Sequence, residues 1–382
     1  MKKKILIITG EPSGDIHGAS LSRSLTAFKP DLQIFGVGGP EMRKSGVHIL
    51  QDNNEMAVVG ILEIFGKIRL LYKIFKKIEY EIVFGKYSAL VLIDYPTFNM
   101  MLAWIASKHG LPVYYFIAPQ VWAWGKIRLK LLARIVNKMF VILPFEKEIY
   151  ENAGLDVEFV GHPFIGEVKT ALERDRAYKI FGLDKNKKIV GILPGSRSQE
   201  IKTLLPVMLE SARIIKKEIP TAQFALPLAK TIKEEEVATL IKQSGLNVKI
   251  IKDFTYDVMS VADFLIVASG SVTLEAGILK KPMVIIYKVN FITSIIARIL
   301  ALISHVGLVN IIAGKEIVPE LLQEKMTPEN IASCSLKALT DEKYYKRVKQ
   351  ELAKIEQLLG EKKAAQTTAK SIINCLYEEK SL

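Results

Sequence analysis

The chain has 382 residues, 49% hydrophobic and 24% charged, which excludes a disordered polymer and makes two domains the expectation, because one core rarely serves that length. Lysine and arginine number 53 against 40 acidic residues, a net charge of +13. That balance favours anionic partners, whether nucleic acid, phosphorylated substrate or acidic membrane surface, without choosing among them.

Behind three lysines, Ile5–Thr9 is an apolar run that breaks at Gly10-Glu11-Pro12, so it reads as a strand and not a signal peptide, and a cytoplasmic location is expected. Further apolar runs follow at Leu32–Val37, Ala89–Asp94, Val113–Ile117 and Met139–Leu143, with helical patterns such as His17–Phe28 and Asn99–Lys108 between them. The alternation predicts a parallel sheet covered on both faces. The pattern pauses at Gly161-His162-Pro163 and the charged stretch Glu167–Arg176. It restarts with Lys188–Leu193, Gln223–Leu226, Val248–Ile251, Phe264–Ala268 and Met283–Tyr287, separated by helices such as Gln199–Glu218 and Thr231–Ser244. The expected domains are 1–165, joined by the C-terminal helices 350–382, and 166–349. Two doubly wound α/β domains in tandem would place ligands at the carboxyl ends of their strands. The uncharged run beginning at Ile299 is too short and polar to span a bilayer. Cys334 and Cys375 are far apart without metal-ligand spacing and read as free thiols.

Four loops carry candidate chemistry. The first, GEPSGDIHG, lacks the dinucleotide spacing, and Ser13 and Asp15 suit a helix N-cap as well as a ligand contact, with Gly14 between them. Asp94 ends an apolar strand before Tyr95-Pro96-Thr97 and reads equally as a general base or as a capping aspartate. The loop LPGSRSQEI brings Gly195, Ser196 and Arg197 to a helix start, where backbone N–H groups and a guanidinium suit phosphate, and Ser196 or Ser198 can cap the helix. ASGSVTLEAG supplies Ser269, Gly270, Thr273 and Glu275; the carboxylate suits a vicinal diol, or a helix's positive end.

Two stretches mix apolar and basic residues. In 56–78, Val58, Val59, Ile61, Leu62 and Phe65 stand with five cations; in 120–138, Trp122 and Trp124 precede Lys126 and Arg128. Such segments suit either an ordinary amphipathic surface or an anionic membrane interface. The apolar run Phe291–Ile303, interrupted by Arg298, reads the same way. No nucleic-acid motif accompanies them, so no nucleic-acid partner is expected. The five histidines are scattered and no D-x-D pair occurs, so no metal site and no cofactor are expected.

These blocks, with GVGGPEM (36–42), IDYPTFN (93–99), APQVWAW (118–124), LPFEKEIY (143–150), VGHPF (160–164) and NIIAGKEIVPELLQ (310–323), occur in the order found in one family. Over residues 4–325 the chain resembles the lipid-A-disaccharide synthases, bacterial glycosyltransferases of the GT-B fold with two Rossmann-like domains facing each other across a cleft. The resemblance implies inverting transfer of 2,3-diacylglucosamine from its UDP derivative to the 6-hydroxyl of 2,3-diacylglucosamine 1-phosphate. It gives the N-terminal domain the acceptor and the C-terminal domain the donor. It implies Asp94 as base, Arg197 and its helix for the diphosphate, and Ser269, Gly270, Thr273 and Glu275 for the rest of the nucleotide. Ser13, Gly14, Asp15, Gln120 and Asn310 fall in cleft-lining motifs. Lipid substrates favour the membrane reading of the apolar-basic segments and a peripheral place on the cytoplasmic face of the inner membrane. Thr97 stands where relatives often carry an acid, which would leave Asp94 the only nearby base, and Val309 replaces a proline before Asn310. The rival readings are a UDP-N-acetylglucosamine 2-epimerase and a non-catalytic nucleotide-sugar or lipid-binding protein.

Overall fold

A computed structural model describes residues 2–55, 61–119, 126–288, 305–361 and 363–378. The chain forms two compact units, Met1–Pro163 with Leu359–Leu382 and Phe164–Leu358.

In the first unit the strands are β1 (Lys4–Thr9), β2 (Gln33–Gly38), β3 (His48–Asp52), β4 (Ala89–Ile93), β5 (Val113–Phe116), β6 (Lys138–Val141) and β7 (Val157–Phe159). They form one parallel sheet in the order β3-β2-β1-β4-β5-β6-β7. Helices cover both faces, so the central strands are continuous apolar runs: every residue of β4 is buried, and all of β1 after Lys4. The helix Ala364–Glu378 returns to seal this sheet, placing Ala369, Ile372 and Ile373 in one core with Ile5, Leu21 and Leu25.

The second unit repeats the plan with β8 (Ile189–Leu193), β9 (Gln223–Leu228), β10 (Val248–Lys252), β11 (Phe264–Ala268), β12 (Met283–Tyr287) and β13 (Glu320–Leu322). Their order is β10-β9-β8-β11-β12-β13, again parallel. Helix Ser198–Glu218 covers it with Ile201, Leu204, Leu205, Met208, Ala212 and Ile215, a stripe at helical spacing.

Each sheet reverses its winding once, between β1 and β4 and between β8 and β11. At such a point the loops leaving adjacent strands diverge and open a crevice at the carboxyl ends, where ligands bind in doubly wound folds. The four candidate loops leave these four strands.

The chain leaves and re-enters the first unit side by side. The His162 N–H donates to the Leu359 carbonyl at 2.9 Å. Gly161 and Gly360 both have positive φ, +84° and +80°. A Cβ on Gly161 would lie 2.8 Å from the Glu361 carbonyl oxygen, and one on Gly360 would lie 3.3 Å from the Gly161 Cα. Side chains at these glycines would force the two passages apart.

No helix among the described residues is long and apolar enough to cross a membrane.

Candidate active site

The first switch point joins the loop after β1 to the turn after β4. Helix Pro12–Phe28 starts with Pro12 in its first turn, where a missing N–H costs nothing, so its N-cap is Glu11. Ser13 and Asp15, read as capping residues for this helix, instead lie inside it; Ser13 is exposed and Gly14 buried. Asp15 caps a different helix. Its carboxylate accepts the N–H groups of Gly39, Glu41 and Met42 at 2.7, 2.9 and 3.0 Å, at the start of helix Pro40–Lys44. Asp15 is therefore a buried structural anchor, not an open ligand contact.

After β4, Asp94 and Tyr95 both adopt left-handed backbone, φ +47° and +51°. Such a conformation costs a non-glycine residue roughly 1–3 kcal/mol, so the surroundings must impose it. They do so through the Asp94 carbonyl, which accepts from the Tyr115 hydroxyl at 2.6 Å and the Asn99 amide at 2.7 Å. On the other side Gly10 makes room: a Cβ there would lie 2.1 Å from the Tyr95 ring. The N-cap of helix Pro96–Lys108 is Tyr95, so the Asp94 carboxylate does not serve as the cap. Burial first, and then the charge of Glu11, raise the Asp94 carboxyl from 3.8 to about 6, against the pull of the Tyr95 N–H. Glu11 is thus a second carboxylate beside Asp94, although Thr97 had suggested that Asp94 stood alone. Thr97 itself is exposed, in the first turn of the helix.

The histidines are less scattered in space than in sequence. His17 is lowered to about 4 by burial, and His162 to about 3 by burial and then by His17. Both are neutral at physiological pH. Among the described residues no group of three or more His, Cys, Asp or Glu could hold a metal ion.

At the second switch point a cavity of about 340 Å³ brings together Gly195, Ser196, Arg197, Ser269, Gly270 and Glu275, with Pro227, Thr255 and Ser271 around them. Gly195 and Gly270 have φ of +111° and +156°, which only glycine adopts freely. Arg197, the N-cap of helix Ser198–Glu218, has a side chain 72% exposed. The helix end is not an open anion site as it stands. Glu200, in the first turn, reaches back to accept the Ser196 and Arg197 N–H groups at 2.9 and 3.3 Å, and it pairs with the Arg197 guanidinium at 3.4 Å. Neither Ser196 nor Ser198 is the cap; Ser198 donates to Glu236 at 3.1 Å.

Glu275 accepts from the Ser271 hydroxyl at 3.0 Å and is also hydrogen-bonded to Tyr256. Burial raises its carboxyl above the usual range. Thr273 is buried beneath the loop, its hydroxyl bonded to the Gly270 carbonyl at 2.8 Å.

Asn310 is buried, and its amide is turned to its own loop. Its amide donates to the Val318 carbonyl and Glu320, both at 2.8 Å, and accepts the N–H groups of Ile317 and Val318 at 2.9 and 3.2 Å. Both amide protons and both lone pairs are spent on its own loop. Val309, in place of the family's proline, is fully buried in helix Leu308–Ala313 and packs near Gly277.

Gln120, Val58, Val59, Trp122, Trp124 and the segment 291–303 lie outside the described residues. Ile61, Leu62, Phe65 and Lys126 belong to the helices Ile61–Phe84 and Lys126–Ile135, but their side chains lie outside the description. Arg128 is exposed. Sequence reasoning gave no role to Glu11, Tyr95, Asn99, Tyr115 and Tyr256, although Glu11 lies in GEPSGDIHG and Tyr95 and Asn99 lie in IDYPTFN.

Two doubly wound units, each with polar loops converging at its switch point, are the architecture of the GT-B class. A family profile described as lipid-A-disaccharide synthetase matches residues 5–373. The lipid-A-disaccharide synthase of Geobacter sulfurreducens is 43% identical over 376 residues, 98% of each chain. The chain belongs to the lipid-A-disaccharide synthetase family. It is a glycosyltransferase of lipid A disaccharide synthesis. Solved structures share the fold at low identity. A putative UDP-N-acetylglucosamine 2-epimerase from Listeria monocytogenes has a TM-score of 0.68 at 14% identity, covering 99% of this chain and 97% of that one. The Neisseria meningitidis UDP-GlcNAc 2-epimerase bound to UDP-GlcNAc has 0.66 at 15%, covering 97% and 100%. That likeness is one of fold alone, and the epimerase reading finds no support beyond it.

Proposed function

We propose that the enzyme transfers 2,3-diacylglucosamine from UDP-2,3-diacylglucosamine to the 6-hydroxyl of 2,3-diacylglucosamine 1-phosphate, with inversion and without a metal. The observation that carries the base assignment is Asp94: half-buried, free of the capping role, and raised to about 6. A base in that range is ionised at neutral pH yet still strong enough to take a hydroxyl proton in the transition state. Asp94 removes that proton, the oxygen attacks the anomeric carbon from the face opposite UDP, and the glycosidic electron pair leaves with the diphosphate. Arg197 neutralises that leaving charge, with Gly195, Ser196, Ser269 and Gly270 as small neighbours that let the nucleotide approach. Glu275 accepts from the ribose hydroxyls, and Thr273 shapes the loop that holds them. Ser13, Gly14 and Gln120 line the acceptor side. The first unit thus serves the acceptor and the second the donor.

The same reading places the enzyme peripherally on the cytoplasmic leaflet. Helix Ile61–Phe84 exposes Leu70 and Tyr72 together with Arg69, Lys73, Lys76 and Lys77. Apolar and cationic groups on one exposed helix suit an anionic lipid interface. Val58, Val59, Ile61, Leu62, Phe65, Trp122, Trp124, Lys126 and Arg128 extend the proposed contact.

The test is UDP release from the two acyl sugars in the presence and absence of EDTA, with co-sedimentation on anionic and neutral vesicles. Metal-insensitive turnover and binding only to anionic vesicles are expected. Strict metal dependence would reject the leaving-group assignment, and equal recovery on neutral vesicles would reject the electrostatic contact.

A further inference from the structure

The helix that follows the Asp94 turn carries an apolar face that the transfer chemistry does not use. On Pro96–Lys108, the positions Thr97, Met100, Met101, Trp104 and Ile105 fall at helical spacing on one face. They line a groove of about 560 Å³, whose other walls include Phe75 and Leu131 from two further helices of the same unit. Large apolar side chains stay exposed in it: Met101 is 46% accessible, Trp104 47% and Leu131 40%. Single exposed apolar residues are ordinary, but several lining one concave surface mark a binding site. Methionine side chains adapt to flexible apolar partners at little rotameric cost.

We propose that this groove holds a fatty acyl chain of the acceptor sugar. The proposal rests on the assignment of the acceptor hydroxyl to Asp94. It is carried by continuity and by charge. The groove's lining starts at Thr97, three residues after Asp94 and in the first turn of the helix, and runs to Trp104, ~10 Å further along the helix. An acceptor whose hydroxyl lies at Asp94 therefore has an apolar path for its chain from the sugar outward. Arg128 stands among the lining residues, a cation for an acceptor that also bears a phosphate monoester. A membrane surface or a second copy of this chain would meet the same exposed side chains, but neither requires a concave path that starts at the proposed base.

The full-length enzyme is assayed with acceptors of graded acyl length, comparing wild type with Met101→Trp and Leu131→Trp, which fill the groove, and with Trp104→Ser, which opens it. UDP affinity and the circular-dichroism spectrum of each variant report on folding. Each methylene held in an apolar groove contributes a factor of about 4 to binding. In the wild type kcat/KM is expected to climb with chain length. In the two filled variants the ratio of long-chain to short-chain kcat/KM should collapse at least tenfold, and Trp104→Ser should shift the preferred length. A ratio unchanged in all three variants, whether or not vesicle binding falls, would overturn the groove while leaving the Asp94 assignment standing. Loss of turnover on every acceptor by the wild type itself would overturn both.

Discussion

The ring of Tyr95 occupies the space in which a side chain on Gly10 would begin, since a Cβ there would come within 2.1 Å of it. Gly10 follows β1 and Tyr95 follows β4, so this contact joins the two strands at the switch point. Gly10→Ala should push Tyr95 away and reorient Asp94. Turnover should fall at least tenfold, while overpacking of this kind lowers stability by about 1–3 kcal/mol. Steady-state kinetics beside thermal melts would check this; full activity would show that the Tyr95 position does not matter to the base.

The acid limb of kcat/KM should titrate near 6, the value to which Asp94 is raised. Activity needs the carboxylate, so it is lost as pH falls through that value. Glu11→Gln removes a like charge, lets Asp94 ionise at lower pH and moves the limb downward. Burial is the larger cause of the shift, so the limb should remain above 3.8. An unmoved limb in Glu11→Gln would assign the titration to another group.

Asp94→Asn should lose turnover by about 10²–10⁴-fold. It should also stabilise the protein. The folded carboxyl is raised above its ordinary 3.8, so ionised Asp94 opposes folding at neutral pH. The gain appears as pH rises from 3.8 towards 6 and is complete above it, at most ~3 kcal/mol and less where solvent screens the site. Melting curves at pH 3.5 and 7.5 would show it; a gain only at the acid end would contradict the shift.

Arg197→Ala should weaken UDP binding about 10–100-fold, the value of a charge-assisted hydrogen bond. Its exposed pairing with Glu200 contributes little to folding, so the melting temperature should scarcely change. Calorimetric titration with UDP measures the first effect, and unchanged affinity would place the diphosphate elsewhere.

Asp15→Ala and Asn310→Ala should act on stability and not on nucleotide affinity. The first strands three N–H groups at the start of helix Pro40–Lys44 and should cost roughly 2–4 kcal/mol. The second removes four hydrogen bonds from a buried loop and should cost roughly 3–5 kcal/mol. Chemical denaturation with UDP titration of the folded protein separates the two effects. A large rise in UDP dissociation constant without loss of stability would return either residue to the binding surface.

The central strands were legible because burial on both faces leaves an unbroken apolar run, as in Ala89–Ile93 and Phe264–Ala268. Three of the four edge strands, His48–Asp52, Val157–Phe159 and Glu320–Leu322, were not, since partial exposure removes that signal; the fourth, Val248–Lys252, was still marked by its Val and Ile residues. The loops after β1, β4, β8 and β11 announced themselves by glycine, serine and proline. What each polar side chain does within them depends on neighbours distant in sequence. Glu11 meets Asp94 only because β1 pairs with β4. Asp15 was read as capping its own helix, and the residues it caps lie 24 to 27 positions away. Glu200 is one more polar letter of LPGSRSQEI in the sequence, and only its reach back to the Ser196 N–H shows that it occupies the helix end.

The paired passages at Gly161 and Gly360 set an order for biosynthesis. The first unit is started before the second but is completed by residues after Leu359, including the helix that carries Ala369, Ile372 and Ile373 into its core. On the ribosome, the second unit emerges whole while the first still lacks one wall of its interior. The sheet that bears Asp94 is therefore the last to mature, and its unfinished face is the one a nascent-chain chaperone would have to shield.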